Sequence, residues 1–321
     1  MRIVVLDGYT LNPGDNPWTV VEALGELVVY DRTPAARIVE RASGADIILT
    51  NKTPLTATTL QQLPRLRYIS VLATGYNIVD VAAARQRAIP VSNVPEYSTG
   101  SVAQYVLAVL LHFCHHVALH NELIHAGQWQ GPDFCFWQTP LCELAGKRIG
   151  IVGFGRIGRR VGALAHALGM EVLAYDVQPG SEPDYQPFSW QSLETVFEES
   201  DVVTLHCPQT DANVGMVNRA LLSRMKPTAL LINAARGGLV HEPDLADALN
   251  RGVLAGAALD VLSSEPPPPD HPLLHAANCV LTPHIAWATR EARRRMMAIT
   301  AENVAAFLRG APQNVVNGVG C

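Results

Sequence analysis

The chain is 321 residues long, enough for two domains with separate apolar cores. Hydrophobic residues make up 48% and charged residues 17%, a globular balance that excludes an intrinsically disordered chain. The formal net charge of -5 offers no basic face for nucleic acid or an anionic membrane, and no apolar run approaches the ~20 residues a bilayer span needs. The N-terminal run Met1–Asp7 meets an acid, then Gly8, too early for a secretory signal. Six cysteines lie scattered, and Cys135 and Cys142 are too far apart for a CxxC redox or zinc motif. Reduced structural thiols and a cytoplasmic location are the expectation.

In chain order, short β-branched runs at Arg2–Asp7, Leu27–Tyr30, Asp46–Asn51, Leu66–Leu72 and Pro90–Val94 read as strands. Helical patterns separate them, at Ile38–Ser43 and at Asp80–Ala88 with Asp80 as N-cap. Strand and helix in alternation predict a parallel sheet covered on both faces. Val102, Val106, Val109, Leu110, Phe113 and Val117 then recur at helical spacing, predicting one helix from about Ser101 to Ala126, stopped by Gly127. An aromatic loop follows, with Trp129, Phe134, Phe136 and Trp137. A second alternation starts at Lys147. Its strands are Arg148–Gly153, Glu171–Asp176, Asp201–His206, Ala229–Asn233, Gly256–Val261 and Val280–Pro283; its helices are Arg156–Leu168, Ser192–Glu199, Arg219–Lys226 and Pro243–Asn250. The tail Ala288–Leu308 reads as a helix free to pack on the first domain.

Gly153-Phe154-Gly155-Arg156-Ile157-Gly158 follows the first strand of this second alternation and opens a helix. The first glycine permits the tight turn, the second lets backbone approach a pyrophosphate, and the third packs the helix on the sheet. Asp176 ends the next strand about 20 residues on, the spacing of a ribose-binding carboxylate. Its charge would repel a 2′-phosphate and Val177–Ser181 holds no Arg or Lys, so NAD is expected over NADP. Taken alone, a glycine loop serves many folds, and Asp176 could merely close a strand.

The run Asn233-Ala234-Ala235-Arg236-Gly237-Gly238, Asp260 with Glu265-Pro266, and Thr282-Pro283-His284 follow in order after the glycine loop. With this set the chain resembles, over essentially its whole length, the D-isomer-specific 2-hydroxyacid dehydrogenases. The resemblance implies two doubly wound α/β parallel-sheet domains, a Rossmann NAD-binding domain at 99–287 inserted into a flavodoxin-like substrate domain at 1–98 and 288–321. It implies catalysis by Arg236, Glu265 and His284. The expected cofactor set is Gly153, Gly155, Arg156, Ile157, Gly158, Asp176, Cys207, Pro208, Ala234 and Asp260, with Asp260 toward the nicotinamide ribose. Ala73, Thr74 and Gly75, with Arg236, form the substrate set; backbone N–H groups at 73–75 suit a carboxylate.

Reduction of a 2-keto acid needs a hydride, a proton for the alkoxide and a cation for the carboxylate. His284 can supply the proton because an imidazole titrates near working pH. Glu265 beside it would favour the imidazolium and fix the ring. Arg236 offers a planar fork for a carboxylate, just past a strand and so at the carboxyl end of a parallel sheet. Each has a plainer reading: surface charge for Arg236, loop acid for Glu265, strand terminator for His284.

Val71–Asp80, Phe134-Cys135-Phe136-Trp137 and His284-Ile285-Ala286-Trp287 resemble the glycerate dehydrogenase or hydroxypyruvate reductase branch. Hydroxypyruvate to D-glycerate is the expected reaction, with glyoxylate as a side substrate and closure of the two domains to exclude water. Another D-2-hydroxyacid dehydrogenase, of D-lactate or 2-ketogluconate type, and a non-catalytic NAD-sensing scaffold or corepressor are the alternatives. Two departures from the family pattern are Gln104-Tyr105 in place of Glu-His, and Glu96 where a small residue is usual. His112, His116 and His120 would share one helix face, but no HExxH appears and NAD chemistry needs no metal, so none is expected. The aromatic loop suggests a subunit contact and a homodimer.

Overall fold

The computed structural model describes residues 1–320. Two compact units divide the chain: Met1–Ser98 together with the segment from Ala288 onward, and Thr99–Trp287.

The first unit holds β1 (Arg2–Val5), β2 (Glu26–Val29), β3 (Ile47–Thr50), β4 (Tyr68–Val71) and β5 (Val91–Ser92), all parallel in the order β2-β1-β3-β4-β5. β3 and β4 are buried along their whole length, as strands covered on both faces must be. The helix Val81–Gln86 begins where Asp80 accepts the Ala83 N–H at 2.9 Å, a cap worth ~1 kcal/mol. The helix Arg290–Leu308 packs on β4, with Phe307 stacked on Tyr68 at 4.5 Å between ring centroids. Beyond it the chain runs antiparallel to β5: Val316 donates to Val91 O at 2.8 Å and Asn93 to Asn314 O at 3.1 Å. This covers an edge that would otherwise expose unpaired backbone groups.

The second unit holds β6 (Arg148–Val152), β7 (Glu171–Tyr175), β8 (Phe188–Trp190), β9 (Val202–Leu205), β10 (Leu230–Asn233), β11 (Gly256–Leu259) and β12 (Cys279–Leu281). They are parallel in the order β12-β11-β10-β9-β6-β7-β8. The winding reverses between β6 and β9, and the carboxyl ends flanking such a switch point form the ligand crevice of open α/β sheets. Successive residues serve opposite faces: Leu231 enters one apolar cluster and Ile232 the other.

Three expectations need correction. The sheet has seven strands rather than six, because Phe188–Trp190 adds an edge strand to β7. The helix predicted to reach Lys226 ends at Leu222. The helix predicted over 101–126 is two, Thr99–His115 and Val117–His125, bent by 51° at His116, whose φ of 46° is left-handed. The first of these buries an apolar face against the helix Arg156–Ala167, whereas the second has no buried residue, so only the first is held by a core. No single helix among the described residues is long and apolar enough to cross a membrane.

Candidate active site

The glycine loop sits between β6 and the helix Arg156–Ala167, at the switch point. Gly153 has φ +94°, and a Cβ there would lie 2.4 Å from Cys207 N, so the loop passes against the residue that follows β9 and His206. A Cβ on Gly158 would meet Gly153 O at 2.2 Å, which is why the helix can start so close to the strand. Gly155 is different: nothing lies within 4 Å of its Cβ position, and the helix it opens has no side-chain cap. Open space in front of first-turn N–H groups without a side-chain partner is what a pyrophosphate requires, so these residues fit a dinucleotide. Asp176, just past β7, accepts the Phe154 N–H at 2.9 Å and the Gln178 N–H at 3.2 Å, which ties it to the loop. Arg156 and Pro208 are exposed, while Ile157, Cys207 and Ala234 are half-buried. Burial pushes the Cys207 thiol up to about 11, so it offers a neutral wall at working pH.

Arg236, Glu265 and His284 follow β10, β11 and β12, three adjacent strands, at the same carboxyl end. Arg236 is held through its backbone: the fully buried Asn233 side chain donates to Arg236 O at 2.9 Å and accepts the Ala235 N–H at 3.0 Å. Its exposed guanidinium donates to Ala235 O at 2.7 Å and forms no ion pair among the described residues. His284 Nδ1 lies 2.7 Å from Glu265 Oε2. The two residues approach because Leu262 donates its N–H to Glu265 Oε1 at 3.2 Å and His284 is fixed by Asp260.

Asp260 is 2% exposed and both its oxygens are engaged. Oδ1 accepts the Thr282 hydroxyl at 2.6 Å and the Ile285 N–H at 2.8 Å; Oδ2 accepts the Ala286 N–H at 2.7 Å. The Asp260 carbonyl accepts the His284 N–H at 2.8 Å. Burial raises the Asp260 carboxyl above the usual range, against the lowering pull of those donors. One residue thus locks the turn that holds His284 at φ 57°, a left-handed conformation costing ~1–2 kcal/mol in an L-residue. Tyr105, one of the two departures from the family pattern, joins this network. Its hydroxyl lies 2.7 Å from Thr282 Oγ1, and since Thr282 donates to Asp260, Tyr105 donates to Thr282. Burial pushes the Tyr105 phenol up to about 12, so it keeps the proton it donates. Thr282 appears in the sequence only as part of a motif, and its link to Tyr105 had no local signal. Glu96, the other departure, has a left-handed φ of 62°.

In the first unit, Ala73–Gly75 follows β4. Ala73 O accepts the Val94 N–H at 3.0 Å, Thr74 Oγ1 donates to Val94 O at 3.0 Å, and Asn93 donates to Thr74 O at 2.8 Å. These bonds use carbonyls and a hydroxyl.

The three histidines stay close across the bend, with the His112 and His116 rings 6.1 Å apart between centroids. The bend falls at His116 itself, His120 Nδ1 turns to His116 O at 2.9 Å, and its Nε2 accepts the Gln138 N–H at 3.2 Å. The described residues contain no cluster of three or more His, Cys, Asp or Glu able to hold a metal.

A switch-point glycine loop, a tethered carboxylate after β7 and a His–Glu pair after neighbouring strands define an NAD-binding oxidoreductase domain. Residues 107–286 match the family described as D-isomer specific 2-hydroxyacid dehydrogenase, NAD binding domain. The chain is 49% identical to hydroxypyruvate reductase of Blautia hydrogenotrophica over 99% of its length and 100% of the relative's. It is 40% identical to glycerate dehydrogenase of Methylorubrum extorquens over 87% and 88% of the two chains. Among solved structures, a protein from Thermus thermophilus superposes with TM-score 0.85 at 35% identity, covering 98% of this chain and 100% of that one. The chain belongs to the D-isomer-specific 2-hydroxyacid dehydrogenase family, and it is an NAD-dependent enzyme that interconverts 2-keto and 2-hydroxy acids.

Proposed function

We propose that the chain reduces hydroxypyruvate to D-glycerate with NADH, and glyoxylate to glycolate as a side reaction. The observation that carries the reading is the His284 Nδ1–Glu265 Oε2 contact of 2.7 Å, together with an arginine past the end of β10 whose guanidinium is exposed. An ionised Glu265 accepts from Nδ1, so Nε2 is the nitrogen left to hand a proton to the substrate oxygen. Bound NADH supplies the hydride that goes to the carbonyl carbon. Arg236 binds the substrate carboxylate through two parallel N–H bonds and keeps its charge at every working pH. Glu265 orients the ring; Asp260 sets the turn beneath it. The remaining cofactor contacts are assigned to Gly153, Gly155, Arg156, Ile157, Gly158, Asp176, Cys207, Pro208 and Ala234. Ala73, Thr74 and Gly75 are assigned carboxylate-binding backbone N–H groups, which makes the first unit the substrate domain. Asp176 favours NADH over NADPH because a 2′-phosphate would meet its charge.

The names carried by the two relatives support the choice of keto acid. NADH and NADPH consumption with hydroxypyruvate, glyoxylate, pyruvate and 2-ketogluconate tests it. Fastest turnover on hydroxypyruvate with NADH is expected. A faster rate on another keto acid moves the substrate, and silence on all four with NADH still bound overturns the catalytic reading.

The same reading includes a homodimer in the cytoplasm. Trp129, Phe134 and Trp137 are 54%, 92% and 64% exposed in one loop, a density of aromatic surface suited to a partner subunit. Light scattering should give twice the chain mass; a monomer at micromolar concentration would remove the idea.

A further inference from the structure

Two buried polar groups that the reaction above does not use are tied to the loop that carries Glu265. Glu242, the first residue of the helix Glu242–Asn250, and His271 are each 6% exposed. Glu242 Oε1 accepts the Ser263 N–H at 2.7 Å. Its Oε2 accepts the Ser263 hydroxyl and lies 3.1 Å from His271 Nε2. His271 Nδ1 accepts the Leu273 N–H at 3.3 Å, so Nε2 carries the hydrogen and donates to Glu242.

A carboxylate and an imidazole taken out of water are costly to keep, and truncating one leaves the other without its partner. What these two secure is local: Ser263 stands two residues before Glu265, in the turn whose Leu262 N–H donates to Glu265 Oε1 at 3.2 Å. The same turn is pressed from another side. Gly237, immediately after Arg236, lies so near Leu262 that a Cβ would fall 1.9 Å from the Leu262 carbonyl carbon. The segment leaving Arg236 therefore touches the Glu265 turn twice, through the Gly237 backbone and then through the Glu242 carboxylate.

We propose that Glu242, with Ser263 and His271, is a positioning group for catalysis: it holds the Ser263 turn so that Glu265 stays against His284. The proposal rests on the roles assigned above to Glu265 and His284. Glu242 touches neither substrate nor cofactor; its effect passes through Glu265.

Glu242→Gln keeps the shape but turns an amide NH2 toward either the Ser263 N–H or the His271 N–H. It should lower kcat by ~10- to 100-fold, the scale of a small misplacement of a reacting group, with keto-acid KM and NADH affinity within about twofold. The deciding readout is a double-mutant cycle. If Glu242 acts through Glu265, adding Glu242→Gln to Glu265→Gln should cost less than about twofold more. Losses that multiply would overturn the proposal, as would wild-type turnover in Glu242→Gln where Glu265→Gln is impaired. Wild-type turnover in Glu265→Gln itself is a separate result and would remove the catalytic pair. Ser263→Ala deletes one hydroxyl and keeps the backbone bond to Oε1, so it gives the same cycle if Glu242→Gln does not fold. Several-fold loss of kcat, absent in the Glu265→Gln background, is expected; no loss would overturn the proposal.

Discussion

After β6 the chain makes room by omission, whereas after β12 it holds a side chain in place by addition. The glycine loop works because atoms are missing: Gly158 leaves space for the Gly153 carbonyl, and Gly155 leaves space for something outside the chain. His284 is held because donors are present, with three groups converging on Asp260 and one carbonyl returning to the His284 N–H. The first device is steric and local, set within six consecutive residues. The second is electrostatic and drawn from separate strands, so a change far along the chain can disturb it. A binding crevice tolerates little added volume, and a proton-transfer group tolerates little lost order.

The comparison can be broken at either end. The largest effect is expected from His284→Gln, which should cut kcat by at least ~100-fold while NADH affinity, followed by fluorescence titration, stays unchanged. Turnover near wild type would leave His284 a turn residue only. A smaller and split effect is expected in the glycine loop. Gly158→Ala should lower stability by about 1–3 kcal/mol, seen as a fall in Tm without cofactor, because the added methyl meets a backbone carbonyl. Gly155→Ala should leave the Tm of the free chain alone and weaken NADH by about tenfold, roughly 1.4 kcal/mol. If both alanines behave alike, the division of labour between the two glycines is wrong.

The steric half of the site was the more legible in the sequence. A glycine pattern between a strand and a helix states its own geometry, and Asp176 after the next strand completes it. Arg236, Glu265 and His284 were reached through ordered motifs, and the parallel sheet put all three at one end. Tyr105 stood out only as a departure from the family pattern, without its bond to Thr282, and Glu242, Ser263 and His271 were not reached. A buried polar group is recognised by its partners, and those partners come from elements far apart in sequence, with no spacing rule to connect them. The strand Phe188–Trp190 escaped because three residues are too few for alternation to register. The bend at His116 escaped because the apolar spacing runs through it, from Phe113 to Val117, although Val117 is 70% exposed.

The discontinuity of the first unit has a bearing on how the molecule is made. Its five strands leave the ribosome before the second unit, but the helix Arg290–Leu308 and the strip that pairs with β5 leave after it. At roughly 5–20 residues per second, the intervening unit takes on the order of tens of seconds to synthesise. During that interval the second unit can close its own core, while the first waits with Tyr68 on β4 and the edge of β5 uncovered. Nascent chains stalled before Arg290 are therefore the stage at which a chaperone has most to hold.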